Sequence, residues 1–229
     1  MFILENQKNF IEYTEKVENV ISPISVIQKK EDGQAFSQIE KLKSLQQKIK
    51  STELIVPIVG GFSAGKSSLI NSFLGGNILP IGIQPETALP AELRYSTTDY
   101  IEAVTANNRI DKYNLTDFDV IKQKIKSEEY RYLKIYLNNQ NLKDIQPLVL
   151  VDMPGYSSPV QGHNSVIMDY TAKGIFFIFL SSVETQGTLQ GNILDELSII
   201  NGINKGFSFC LSKTNLKAPS QVEEIKSIT

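Results

Sequence analysis

Along the first fifty residues the apolar side chains recur at helical intervals. Ile3, Phe10, Val17 and Ile24 stand seven apart, Tyr13, Val20 and Ile27 follow three further on, and Glu12, Glu15, Lys16 and Glu18 lie off the stripe. Pro23 behind Ser22 reads as a first-turn proline after a fresh cap, so a break or kink is expected there. Glu31-Asp32-Gly33 makes a turn, and Ala35, Ile39, Leu42, Leu45 and Ile49 form a second amphipathic helix ending in Lys48 and Lys50, whose charges suit a helix C-terminus. The product is an αα-hairpin. Its stripe packs either on the domain that follows or in a bundle completed by residues outside this chain.

From Glu53 the pattern changes to short apolar runs alternating with helical periodicity, the mark of a βα-repeating sheet. The expected strands are 54–59, 91–95, 101–105, 133–137, 148–151, 175–180 and 207–211. The expected helices cover 66–74, a segment capped by Thr116 with Asp119 three residues on, a segment with the stripe Leu189, Ile193, Leu197 and Ile200, and a final stretch capped by Ser220. Pro57 removes a ladder donor from a strand that ought to be central, which predicts a bulge or irregular pairing. The division is therefore 1–50 for the helices and 51–229 for the α/β domain.

Composition narrows the partners. Lys and Arg number 23 against 25 Asp and Glu, so the basic excess that drives sequence-independent nucleic-acid binding is missing. The single cysteine, Cys210, cannot form an internal disulfide, and Met1-Phe2-Ile3-Leu4-Glu5 does not open a signal peptide, so a cytoplasmic setting is expected. The longest apolar run, 174–180, has strand length and is far short of the ~20 residues of a membrane span. Membrane contact would be peripheral, at the inner face.

Gly60-Gly61-Phe62-Ser63-Ala64-Gly65-Lys66-Ser67 is a complete G-x-x-x-x-G-K-[ST] between a predicted strand and a predicted helix. Glycines let the backbone curl so that amide N–H groups face phosphate oxygens, and the following helix adds its positive end. Lys66 would neutralise the β- and γ-phosphates, Ser67 would place its hydroxyl on Mg²⁺, and Ser68 begins the helix. Further on, the apolar strand 148–151 runs into Asp152-Met153-Pro154-Gly155. Asp152 would hold the Mg²⁺ through water, and the Gly155 N–H can approach the γ-phosphate because no side chain blocks it. A P-loop followed by D-x-P-G is the order found in GTPases.

The stretch Gly61 to Gly75, then Leu79-Pro80, Gln84-Pro85-Glu86-Thr87-Ala88 and Leu93-Arg94-Tyr95, resembles the GTPase domain of bacterial dynamin-like proteins, and Asp152 to Gly155 with His163 continues the likeness. It runs from about Leu54 to Thr229. The resemblance implies an α/β P-loop NTPase fold of the Ras-like, dynamin-type GTPase kind, a mixed sheet flanked by helices and preceded by the N-terminal hairpin. It also implies GTP and GDP as ligands, Mg²⁺-dependent hydrolysis, nucleotide-controlled homo- or hetero-dimerisation through the GTPase face, and membrane remodelling or tethering through segments outside this chain. Thr87 resembles the switch threonine on Mg²⁺, and Ser63 resembles the position that supports charge stabilisation with a monovalent cation, Na⁺ or K⁺. Ser63, Lys66 and Thr87 would thus carry catalysis, and Ser67, Thr87 and Asp152 the metal.

Departures from the family pattern qualify that picture. Tyr156 stands where Ras-like proteins place a glutamine, an absence that dynamin-like proteins share. Met153 replaces the usual threonine. The base-reading element is Ser212-Lys213-Thr214-Asn215, in which Lys213 packs along the base plane but Asn215 offers one acceptor where an aspartate offers two. The unmatched contact costs ~1–3 kcal/mol and puts guanine specificity in question. A nucleotide-impaired assembly module is therefore the competing reading. His163 fits a surface or switch role better than general-base catalysis, Cys210 and Phe176, Phe177 and Phe179 read as core, and Lys122, Lys124 and Lys126 as a solvated face. Fourteen residues follow Asn215, fewer than the resemblance calls for, so a C-terminally truncated GTPase domain is expected.

Overall fold

The computed structural model describes residues 2–28, 34–79, 89–117, 120–121, 130–155, 169–170, 172–185 and 206–228. Thr87, Asp119, Tyr156, His163, the turn 31–33, the lysines at 122, 124 and 126 and the stripe 189–200 lie outside the described residues. The chain divides into two compact units, Met1–Glu53 and Leu54–Thr229.

The first unit is an antiparallel hairpin of α1 (Phe2–Gln28) and α2 (Gln34–Lys50). Gln7 Nε2 donates to the Ile49 carbonyl at 2.6 Å, Lys43 pairs with Glu18 at 3.3 Å and Lys50 with Glu15 at 3.5 Å, which fixes the direction. Thr14, at 2% exposure, satisfies its hydroxyl on the Ile11 carbonyl at 2.8 Å. The expected break at Pro23 does not occur, since α1 runs on through it. A helix-interior proline costs about 3 kcal/mol through one lost backbone bond, yet need not end a helix whose flanking residues keep helical dihedrals. Phe10, Tyr13 and Val20 of the apolar stripe remain exposed.

The second unit is built on one eight-stranded mixed sheet. Its strands are β1 (Leu54–Gly60), β2 (Ala91–Tyr95), β3 (Tyr100–Thr105), β4 (Ile110–Tyr113), β5 (Tyr130–Leu137), β6 (Leu148–Asp152), β7 (Phe176–Ser182) and β8 (Gly206–Ser212), in the order β4-β3-β5-β2-β6-β1-β7-β8. β1 pairs parallel with β6 and β7, β7 with β8 and β2 with β5, whereas β2 and β6, β3 and β5, and β3 and β4 are antiparallel. The described helices of this unit are α3 (Lys66–Leu74), α4 (Gln140–Asp144) and α5 (Pro219–Ile228). α5 starts a residue before the predicted Ser220 cap, with the Gln221 side chain accepting from the Ala218 N–H at 3.2 Å. Thr116 lies inside a 3-10 turn over Leu115–Asp117, and the residues described next, 120 and 121, are helical as expected.

Because side chains alternate along a strand, each sheet face has its own core. Ile58, Leu93, Ile101, Leu133, Ile135 and Leu137 pack with Ile70 and Leu74 of α3, while Val59, Val149, Val151, Phe177 and Phe179 pack with Met153 and Tyr170 on the other face. Phe176 and Cys210 are less enclosed than the sequence pattern predicts: Phe176 is exposed and Cys210 half-buried toward the outer strand β8.

The register of β1 with β6 is continuous through Pro57, so the predicted bulge is not there. The backbone groups of a parallel strand face alternate neighbours. Leu54 N–H and the Ile58 carbonyl face β6, through Pro147 O at 3.0 Å and Met153 N at 3.3 Å, whereas the Ile55 carbonyl accepts from Ile175 N at 3.0 Å on the β7 side. The missing donor of Pro57 is therefore turned toward β7, whose ladder with β1 begins one residue later at Ile58. Gly174 makes room for the ring: a Cβ there would stand 3.0 Å from Pro57 Cδ.

Several tyrosines are embedded around this sheet. Tyr170 donates to Glu92 Oε1 at 2.7 Å, and Arg94 donates to Glu92 Oε2 from Nε at 3.1 Å and Nη2 at 2.7 Å. Tyr136 stacks on Tyr100 with centroids 4.4 Å apart. Burial and the carboxylate of Glu102 push the Tyr136 phenol up to about 12 from 10.0, and burial followed by Glu92 raises Tyr132. Burial also raises Tyr170 and Tyr130, aided by Glu92 and Asp111 respectively. A folded-state value above the unfolded one gives stability that is complete below pH 10 and is lost as the pH rises through the folded value. Thermal unfolding followed against pH should therefore show a midpoint falling steeply between about pH 10 and 12, with tyrosinate absorbance appearing together with unfolding. Titration of all these phenols near pH 10 in a still-folded protein would refute it.

Candidate functional site

The loop 60–65 joins the C-terminal end of β1 to α3 and is shaped by three residues of positive φ: Gly60 at 148°, Ser63 at 57° and Gly65 at 91°. Gly60 has no room for a side chain, since a Cβ would lie 2.1 Å from the Leu180 carbonyl oxygen of β7. Gly65 occupies the N-cap of α3 and brings no side-chain cap to the first-turn N–H groups. Those groups and the helix dipole face whatever sits above the loop, an arrangement suited to an anion.

Lys66 is 7% exposed, and its ammonium donates to the Gly60 carbonyl at 2.8 Å and the Gly61 carbonyl at 2.9 Å. The loop thus curls around its own cation. Phe62 and Ser63 lie on the exposed rim, Ala64 is buried, Gly61 is half-buried, and Ser68 is exposed at the start of α3. A β-carbon on Gly155 would come 2.9 Å from Phe62 Cα, so the end of the Asp152-Gly155 turn lies directly against the loop.

Ser67 Oγ donates to Asp152 Oδ2 at 2.6 Å, joining the start of α3 to the end of β6. Asp152 Oδ1 is the buried side-chain polar atom that lacks a partner among the described residues. Burial pushes the Asp152 carboxyl up, while the Ser67 hydroxyl and the Lys66 charge pull it down, and burial wins. A buried carboxylate oxygen with nothing to accept from is a strong request for a water or a cation. No group of three or more His, Cys, Asp or Glu converges among the described residues. One hydroxyl and one acid suit a hard ion that keeps several waters and takes its remaining oxygens from a phosphate, as Mg²⁺ does.

The end of β8 is tied to the same loop. Ser212 Oγ donates to the Ala64 carbonyl at 2.6 Å and to the Ser181 carbonyl at 3.2 Å. Lys213 follows in a left-handed conformation with φ 57°, and Asn215 is exposed in the 3-10 turn Thr214–Leu216. Lys213 pairs with Glu184 from the turn after β7. The geometry therefore brings Gly60 to Ser68, Asp152, Gly155, Lys213 and Asn215 to one end of the sheet, the C-terminal ends of β1, β6, β7 and β8.

Three contributors were not singled out by sequence reasoning. Ser212 stands in the sequence as the first letter of the base-reading element, and in the structure it hooks the P-loop. Asn71 donates to the Leu79 carbonyl at 2.8 Å and accepts from Leu79 N at 2.8 Å and Ile78 N at 3.1 Å, fixing the chain beyond α3. Glu184 carried no motif at all.

The Dynamin family model matches residues 56–195. The chain is 28% identical, over 97% of its length, to an uncharacterised protein in the xynA 3' region of Caldicellulosiruptor sp. (strain Rt8B.4), and covers 52% of that protein. It is 31% identical over 136 residues to Dynamin-2 of Rattus norvegicus, covering 55% of this chain and 15% of the relative. A solved structure described as an oligomerised bacterial dynamin pair, providing a mechanism for the long range sensing and tethering of membranes, superposes with a TM-score of 0.58 at 22% identity, over 84% of this chain and 31% of that one. The chain thus spans about half the length of the Caldicellulosiruptor relative and a smaller share of the others. With a family match that embraces both the P-loop and the Asp152 turn, on a mixed sheet flanked by helices, this chain belongs to the dynamin family.

Proposed function

We propose that the chain binds GTP and GDP at the P-loop and hydrolyses GTP, within a dynamin-like protein that works on membranes. The observation that carries the reading is the Ser67–Asp152 bond beside the buried Lys66, with one Asp152 oxygen left open. Ser67 and Asp152 would hold Mg²⁺, joined by Thr87, and the bound ion supplies charge neutralisation at the β- and γ-phosphates. Lys66 exchanges its contacts with the Gly60 and Gly61 carbonyls for phosphate oxygens. The loop amides and the α3 N-terminus bind the remaining oxygens. Gly155, with no side chain, can bring its N–H to the γ-phosphate. Ser63 stands on the rim where a Na⁺ or K⁺ would support the charge built up in the transition state.

Dimerisation through this face, in a nucleotide-dependent homo- or hetero-pair, belongs to the same reading, as do a cytoplasmic setting and peripheral membrane contact through other segments. No described helix is long and apolar enough to cross a membrane. A second reading, an assembly module that binds nucleotide poorly, is favoured by Asn215, whose amide matches guanine less well than a carboxylate.

Titration with GTP, ATP and XTP in the presence of Mg²⁺, followed by turnover at high protein concentration, separates the two. Submillimolar binding of GTP and a turnover that rises with protein concentration are expected. Failure of all three nucleotides to bind would leave the assembly module as the better account.

A further inference from the structure

β7 and β8 are parallel neighbours whose register holds to their last residues, Ser182 opposite Ser212, so the turns that follow them lie side by side. Each is a single 3-10 turn, Val183–Thr185 and Thr214–Leu216. Glu184 in the first is ion-paired with Lys213 at the start of the second. The carboxylate is held from another direction as well, because Ser182 Oγ donates to Glu184 Oε2 at 3.3 Å and accepts from the Glu184 N–H at 3.2 Å. The Lys213 backbone is fixed by its left-handed conformation and by the bond from Leu216 N to its carbonyl at 2.9 Å. One residue earlier, Ser212 ties the same segment to the P-loop carbonyl of Ala64. The Lys213 side chain keeps 31% of its surface open and that of Glu184 51%.

A lysine stem left free carries rotamer entropy that must be given up whenever it is laid against a flat ligand. Holding its ammonium in advance removes part of that cost. The need is greater here than in a site with an aspartate at position 215, since Asn215 supplies one acceptor fewer and leaves the stem contact a larger share of base binding. We propose that Glu184 is the positioning residue of the base site: it anchors the Lys213 ammonium so that the methylene stem lies ready along the face of a purine base. The inference rests on the reading above that a nucleotide base lies against Lys213. The Lys213 hydrogen bond and charge, with smaller pulls from the Ser182 hydroxyl and Lys217, outweigh burial and hold the Glu184 carboxyl below its ordinary range, so the anchor is charged at neutral pH.

The test uses the 229-residue chain with GDP and with GTP plus Mg²⁺, measuring dissociation constants and turnover for wild type, Glu184→Gln, Glu184→Asp, Lys213→Met and the double variant Glu184→Gln/Lys213→Met. Glu184→Gln is expected to weaken GDP and GTP alike by about two- to fivefold, the range of a largely exposed ion pair, with kcat and the melting midpoint unchanged. Glu184→Asp should recover most of the affinity. In the Lys213→Met background Glu184→Gln should add nothing, because the carboxylate acts through the lysine. Unchanged affinity in Glu184→Gln, or an effect that persists in full without Lys213, overturns the assignment. A wild-type chain that binds neither nucleotide overturns this inference and the nucleotide reading together, whereas wild-type binding with a silent Glu184→Gln overturns this inference alone.

Discussion

Lys66→Ala is expected to abolish measurable binding of GTP and GDP while leaving the sheet folded. The ammonium is buried and bonded to two loop carbonyls at 2.8 and 2.9 Å, neutral acceptors that a charged phosphate oxygen outcompetes. Charge-assisted bonds to phosphate contribute ~1.5–3 kcal/mol each, so two of them amount to a weakening of roughly two to four orders of magnitude. The fold has less to lose. Gly60 and Gly61 would each forfeit one acceptor contact beside the half-exposed loop, where water can replace the ammonium. Calorimetric titration of the variant, beside its melting curve, checks both halves of the prediction. Affinity within threefold of wild type would remove Lys66 from the phosphate site, and with it the P-loop assignment.

The phosphate site is legible in the sequence because the P-loop is contiguous and its glycines, lysine and serine each answer a local requirement. The strand β2 and the helix α3 were legible to the residue for the same reason: an alternating or helical apolar pattern, bounded by glycine or proline. β4 was missed. It has four residues, alternates exposed and half-buried positions, and owes its pairing to β3 and to the turn at Asn108, whose φ of 60° was hinted at only by the Asn107-Asn108 pair. α4 was missed because five residues carry no periodicity. Its signal was Asn139, which accepts from Leu142 N at 3.3 Å and donates to the Leu74 carbonyl at 2.8 Å.

Pro57 shows a different kind of failure. The residue was read correctly as a missing donor in a central strand, but which neighbour would feel the loss depends on the alternation of backbone groups between β6 and β7, and the space for its ring depends on Gly174. The site divides in the same way. Ser67 and Asp152 were both assigned to the metal from their motifs, and the structure adds that they touch. The Ser212–Ala64 contact runs from the end of β8 to the loop after β1, with β7 between those strands, and Glu184–Lys213 joins the turns after β7 and β8, so both arise only in the folded sheet and no local pattern could announce them. Exposure of Phe10, Tyr13 and Val20 on α1 is likewise invisible to periodicity, which marks an apolar face without saying what covers it.

Gly60→Ala is expected to be the most destabilising single methyl that can be added to the described P-loop. At φ 148° an L side chain is strained before any neighbour is considered, and the new β-carbon would stand 2.1 Å from the Leu180 carbonyl oxygen and 3.1 Å from its carbon. Both atoms are backbone, so no rotamer change relieves the overlap. The relief would have to come from parting β1 and β7 where Val59 faces Phe179 and Gly60 faces Leu180, and both Val59 and Phe179 are buried in the core. Strained backbone and overpacking each cost about 1–3 kcal/mol, so their sum near 2–6 kcal/mol should lower the melting midpoint on the order of 5–20 °C in a domain of this size. Gly75→Ala provides the internal control: its φ of 74° is also unfavourable to alanine, but nothing lies within 4 Å of the added carbon. It should cost ~1 kcal/mol, the conformational share alone. Melting curves of the two variants beside wild type therefore separate steric overlap from backbone strain. Equal shifts in both would mean that β7 yields to the methyl at no cost, and the close approach of Gly60 to Leu180 would then have no part in holding the loop against the sheet.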